Sequence, residues 1–216
     1  MPTPILLLNT VCQMQSTLGA AKTITAISKA SAAVVTATHD FSAGDYVVFD
    51  TNIGGMVEMN GRVCRVLSVS TTVSFVCEAL DSSAFSTYTS GGSVYKVTAF
   101  HTFDNLTSFN YPEPAPTRID VTTVHDTIKK EVFGLDESPN ITMSSLSNPT
   151  GTVMAAVKTA ALAKTTRAFK VTLQNGNILI FNAYVAGGRG LDGSAGAVAT
   201  GQINLTLAAP EQYFAS

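Results

Sequence analysis

Histidine is the side chain that most readily serves as a base or metal ligand near neutral pH, and this sequence has it at His39, His101 and His125. The three lie far apart, and no HExxH or His-x-His pair sets two of them at a spacing that shares a metal. They read as surface or loop histidines. Carboxylates gather at Asp120, Asp126, Glu131, Asp136 and Glu137, raw material for a paired acid and base. Lys129 and Lys130 stand among them as ion-pair partners, which marks a solvated or inter-subunit loop instead. The run AGGRGLDGSAG from Ala186 to Gly196 has the glycine content of a phosphate loop. It lacks the GK[ST] and joins two expected strands where a P-loop joins strand to helix. No GxSxG elbow accompanies a serine nucleophile. The residues therefore point to a non-enzyme with no catalytic, cofactor-binding or metal-binding group.

The composition narrows the class further. Cys12, Cys64 and Cys77 are odd in number and form no CxxC, so they fit small buried thiols in a reducing compartment. Charged residues make up only 13% of the 216, and the net charge is −2, which leaves no electrostatic footprint for gripping nucleic acid or an anionic membrane. Low charge on this scale suits a surface largely covered by partners. No apolar run approaches a membrane span, Ile5–Leu8 is too short for a signal segment, and no positive charge precedes Lys22. Synthesis and assembly in cytoplasm are expected, with no membrane partner.

The elements follow from periodicity. Arg167–Val185, RAFKVTLQNGNILIFNAYV, is the strongest hairpin signal, with Asn175-Gly176 suited to a two-residue type I′ turn. Such a turn sets Leu173 opposite Ile178, Val171 opposite Ile180 and Phe169 opposite Asn182. The other face of the first strand is polar, whereas Leu179, Phe181, Ala183 and Val185 give the second strand another apolar face. A strand apolar on both faces is central in a layered core or covered by another copy. Upstream, Val153, Met154, Val157, Ala160 and Ala161 make a helical stripe over Thr152 to about Lys164, with Asn148 as cap and Pro149 in the first turn.

From Ile24 to Thr98 the texture is short strands split by Gly, Asn, Asp and Ser, which predicts a small all-β barrel or sandwich. AVVTATHDFSAGDYV, GGMVEMNGRVCRV and STYTSGGSVYKV within it resemble the small β modules of bacteriophage virion proteins related to the first catalytic-cysteine half-domain of ubiquitin-activating enzymes. The stretch carries four basic and six acidic residues, while the rest of the chain carries nine of each. Strands are further expected over Ile5–Met14 and Phe100–Phe109, with STLGAAK between the first and the module as a bend, and over RIDVTTV, NITMSSLS and Ala195–Ala208.

FDNLTSFN, then IDVTTVHDTIKKEVFGLDESPNITMSSLSNP, the helix, FKVTLQNGNILIFNAYV and AGAVATGQINLTLA resemble, in this order, the major tail tube protein of long-tailed bacteriophages. Gln174 stands where that family often has Pro. The resemblance implies a mainly β subunit, a sandwich or barrel with one flanking helix, built from 1–23 and 99–216 with 24–98 inserted. It implies hexameric rings stacked into a tube in the virion tail, with double-stranded DNA passing through the lumen without specific binding. Partners would be further copies and other tail proteins such as tape measure and terminator. His125–Pro139 is the expected inter-ring loop, through His125, Asp126, Lys129, Lys130, Glu131, Phe133, Leu135 and Asp136. Gly187, Gly188, Arg189, Leu191 and Asp192 would make a second subunit contact. The inner tube of a contractile tail or secretion system shares this pattern. A host-attachment or carbohydrate-binding virion protein is the alternative from another class, disfavoured by the absence of Trp. If 24–98 is inserted, its ends should be close, and it need not stabilise the rest.

Overall fold

The computed structural model of the chain describes residues 9–146, 148, 151–188 and 190–215. It is mainly β with one α-helix. β1 (Val11–Leu18) is followed by β2 (Lys22–Ile27), β3 (Val34–Ala37), β4 (Tyr46–Phe49), β5 (Val63–Ser70), β6 (Ser74–Cys77) and β7 (Ser93–Thr102). The order β2-β3-β6-β5-β4-β7 closes on itself, because β2 also pairs with β7. Closure leaves this small barrel without an open edge. Alternate residues of the short strands, among them Val35, Val47, Phe49, Cys64, Phe75 and Cys77, fill its core.

His39 lies in a loop, one of the two expected settings, but it is buried against that core and not on the surface. Its ring stacks on Phe41 at 4.9 Å and meets Phe75 edge-on at 5.5 Å, and its Nδ1 accepts the Phe41 N–H at 3.1 Å. The aromatic packing and one hydrogen bond hold the ring there, while its Nε2 is buried without a hydrogen-bond partner.

After β7 come β8 (Leu106–Asn110), β9 (Pro116–Asp120), β10 (Glu131–Asp136), β11 (Asn140–Leu146), α1 (Thr152–Ala163), β12 (Thr166–Thr172), β13 (Ile178–Val185) and β14 (Thr200–Phe214). The sheet continues from the barrel as β7-β1-β12-β13-β14-β11-β8. β7 and β8 stand at opposite ends of this array, yet only Phe103–Asn105 connects them. That link reaches about 14 Å. Seven flat strands would hold the ends about 29 Å apart, so the array must roll up. Phe103 N–H bonds Cys12 O at 2.9 Å and Leu146 N–H bonds Asn105 O at 2.9 Å, tying the turn to both neighbouring strands.

Several boundaries differ from expectation. β1 begins at Val11, after Asn9 at φ 58°, and runs through Ser16–Leu18, the start of the expected bend; residues 1–8 lie outside the described residues. Phe100–Phe109 is not one strand, because β7 ends at Thr102 and β8 starts at Leu106. β9 stops at Asp120, whose carboxylate accepts the Thr122 N–H at 2.9 Å and turns the chain. β14 starts at Thr200, since a turn with Gly196 at φ 81° occupies the segment before it, and it runs on to Phe214. Pro210 is tolerated there because the β13–β14 register is irregular between Ile180 and Asn182. β1 and β7, the strands flanking the barrel, pair directly with Gln13 opposite Thr102.

The β12–β13 hairpin forms, but its register is shifted by one. Gly176 takes φ 85°, Leu173 N–H bonds Asn177 O at 2.8 Å, and Gly176 N–H bonds Leu173 O at 2.9 Å. Gln174, Asn175 and Gly176 therefore make a three-residue loop with glycine in the left-handed position, and the two-residue turn is absent. Val171 faces Leu179 and Phe169 faces Phe181, with the two rings stacked at 5.5 Å. A one-residue slip exchanges faces, so Leu179, Phe181, Ala183 and Val185 share the core with Phe169 and Val171.

Helix α1 lies on that core through Met154, Val157 and Ala160. Its N-cap position is Gly151, which bonds back to Asn148 O at 3.0 Å, so Asn148 sits earlier than expected. The Pro149 assignment lies outside the described residues. Burying Met154 and Val157 contributes about 1.5–3 kcal/mol each, enough to hold a helix too short to persist alone.

The other face of β13 is covered from within the chain. Ala168, Ile180 and Phe214 pack against Val48, Val63 and Val97. Arg65 lies over the Phe214 ring at 4.7 Å, Lys170 over Phe100 at 4.8 Å, and Asn182 Nδ2 donates to Gly61 O at 2.8 Å. The segment 24–98 therefore stabilises the rolled sheet, contrary to expectation, and no second copy is needed on that face.

Two outcomes follow. Replacing 24–98 by a Gly/Ser linker should uncover Ala168, Ile180 and Phe214 and lower the melting temperature with increased binding of a hydrophobic dye; Ile180→Ala alone should cost about 2–5 kcal/mol by denaturant titration. All three cysteines are free and buried. Burial pushes Cys12 up to about 12, and Cys77 is held far above the ordinary thiol range by its hydrogen bond with Cys64 and by burial. A thiol reagent at pH 8 should leave the native protein unlabelled and modify three thiols in denaturant.

Candidate assembly surfaces

β9 and β10 form a sheet of their own, paired only with each other. Asp120 faces Glu131, Ile119 faces Val132, and Arg118 faces Phe133. The loop expected over His125–Pro139 is thus partly a strand, and the whole of 116–136 is a hairpin arm. Every residue of β9 is exposed, as is every residue of β10 except Gly134. Gly134 is constrained, since a Cβ there would lie 2.4 Å from Thr117 Oγ1.

The tip is held by short polar contacts. Asp126 accepts from Thr123 N–H and Thr123 Oγ1, both at 2.9 Å, and pairs with Lys130. Lys129 pairs with Glu131 at 2.5 Å, and Arg118 reaches Glu131 at 3.5 Å. These contacts hold the carboxyls below their ordinary range. Lys130 is the main cause at Asp126, Lys129 at Glu131, and the hydrogen bonds from Thr122 at Asp120. The expected ion pairs within the acidic cluster are present.

Besides the expected Phe133 and Leu135, the arm exposes five further apolar side chains. Val124 is 96% exposed, Leu135 87%, Ile128 77% and Phe133 68%, and Ile119, Val121 and Val132 are exposed beside them. Isolated two-stranded hairpins are marginal in water, and large apolar surface without a cover marks an interaction site. The signal was in the chain as I-x-V and V-x-x-x-I spacing inside a charged segment. At the arm's root lies a groove of about 280 Å³ lined by Pro114, Asp136, Glu137, Pro139, Leu207 and Glu211 among others.

The second expected surface sits between β13 and β14. Ala186 and Gly187 N–H both reach Asn204 O, and Asp192 and Thr200 form an isolated bridge with two 2.8 Å bonds. Gly188, at φ 121°, lies against α1, where a Cβ would come 2.5 Å from Val157 Cγ1. Leu191 and Asp192 are exposed, and Arg189 lies outside the described residues. Of the other histidines, His101 faces Met14 in the β1–β7 pair and His125 is exposed on the arm. Among the described residues no group of three or more His, Cys, Asp or Glu could hold a metal ion, and no helix is long and apolar enough to cross a membrane.

The fold and these surfaces define a mainly β protein in which a closed barrel is fused through one sheet to a rolled sheet bearing a helix and a projecting arm. Residues 31–98 match the family of the ubiquitin-activating enzyme E1 FCCH domain, within the stretch that resembles such modules. A search of curated proteins finds no match. Among solved structures, the chain is similar to one from the virion of a native gene transfer agent particle, at 15% identity and a TM-score of 0.41, covering 54% of this chain and 89% of that one.

Because Asp126 and Glu131 have lowered folded-state values, their stabilisation of the arm is complete above the unfolded carboxylate range near pH 4. It is lost as pH falls through the folded values. Amide exchange in 116–136 should therefore accelerate below that range, and Lys130→Gln should weaken the dependence carried by Asp126.

Proposed function

We propose that this chain is a structural virion protein, the major tail tube subunit of a long-tailed phage-like particle. The arm carries the reading: a hairpin with seven exposed large apolar residues acquires a dry environment only against another molecule. Support comes also from the ordered sequence resemblance, which runs through the arm, helix and β12–β13 hairpin. Copies would join into six-membered rings, and arms would bridge one ring to the next. His125, Asp126, Lys129, Lys130, Glu131, Phe133, Leu135 and Asp136 belong to that bridge, and the 187–192 loop supplies a second contact.

The chemistry proposed is assembly, with no catalytic step and no cofactor. The lumen would pass double-stranded DNA without holding it, since each phosphate neutralised by Lys or Arg adds salt-dependent affinity that would stall sliding. Balanced charge outside 24–98 meets that requirement. Tape measure and terminator proteins are the further partners of such a tube, and assembly in host cytoplasm fits buried free thiols.

Negative-stain microscopy of the purified protein should show hollow rings or open tubes. A strictly monomeric species at high concentration, in sedimentation and in images, overturns the reading.

A further inference from the structure

We propose that the arm tip of one copy seats in the groove at the arm root of a second copy. This names the receiving surface and rests on the reading of the chain as a self-assembling subunit. The groove has an apolar lining, Leu207, Ala208 and Ala209 together with Pro114, Pro139 and Pro210. Three carboxylates, Asp136, Glu137 and Glu211, line it with no cationic side chain, and none of them forms an ion pair among the described residues.

The tip has the complementary character. Val121–Lys130 carries two lysines against one aspartate, and Lys129 and Lys130 side chains are 65% and 62% exposed. Val124 and Ile128 in the same segment are exposed and apolar, matching the apolar lining. The lysines' bonds to Glu131 and Asp126 within the arm are exposed ion pairs of small net value, so exchanging them for groove carboxylates costs little.

An arm cannot fill the groove at its own root, because β9 and β10 hold the tip about 16 Å of extended strand away. Tip and groove are different surfaces, so the contact is head-to-tail. Such contacts propagate into rings or stacked arrays and do not stop at a dimer.

The test uses the full-length protein. In assembled wild type, a zero-length carbodiimide cross-linker should join Lys129 or Lys130 to Asp136, Glu137 or Glu211 of another copy, identified with mixed isotope labels. Lys129→Glu/Lys130→Glu and Asp136→Lys/Glu137→Lys should each lower the sedimenting fraction roughly tenfold, with circular dichroism unchanged. Mixing the two variants, or combining them in one chain, should restore it to within about threefold of wild type. Wild type that assembles without these cross-links, or variants that restore nothing on mixing, overturn the docking and leave the tube reading standing. Wild type that never assembles overturns both.

Discussion

The double burial of β13 is the constraint on which the two halves of the molecule depend. One face sends Leu179, Phe181, Ala183 and Val185 into the core beneath α1; the other sends Ile180 against Val48, Val63 and Val97 from the barrel strands. A strand satisfied on both sides cannot slip, because a one-residue shift would move Asn182 into the helix-side core and lose its bond to Gly61. The same burial makes the barrel part of the packing of the rolled sheet and not only an appendage. β7 adds to this by running from the barrel's pairing with β2 and β4 into the rolled sheet's pairing with β1.

Against that compact body the arm is an exception. Its strands gain hydrogen bonds from each other and ion pairs at the tip, but its apolar side chains gain nothing until a partner excludes water from them. The body is complete without the arm, and the arm is incomplete without something else. In the proposed self-assembling role, that division would leave the assembly free energy to surface that the fold itself does not cover.

The scarcity of charge has two consequences. Inside the chain, most cations are committed: Arg65 to Glu78 and the Phe214 ring, Lys96 to Asp45, Lys22 to Asp40, Lys170 to aromatic faces. At the arm root, Asp136, Glu137 and Glu211 line one groove and form no ion pair among the described residues, although Glu211 acts electrostatically on Arg62.

By itself the sequence determined the mainly β class, the small β unit of short strands within 24–98, a helix starting at Thr152 with its apolar stripe, and a hairpin turning at Asn175-Gly176. These are local matters: side-chain alternation, glycine at a turn and helical spacing act over a few residues. The pairing of carboxylates with lysines in 120–137 was legible because it is also local. Tertiary structure alone decided the rest. The one-residue register of β12–β13 depended on which face the barrel would cover, and His39 became a core residue because Phe41 and Phe75 enclose it. Phe103–Asn105 could be recognised as the corner of a rolled sheet only once β7 and β8 were known to lie at its two ends. The groove at the arm root joins segments almost a hundred residues apart, from Pro114 to Glu211, a juxtaposition created by pairing of distant strands, which no local pattern encodes.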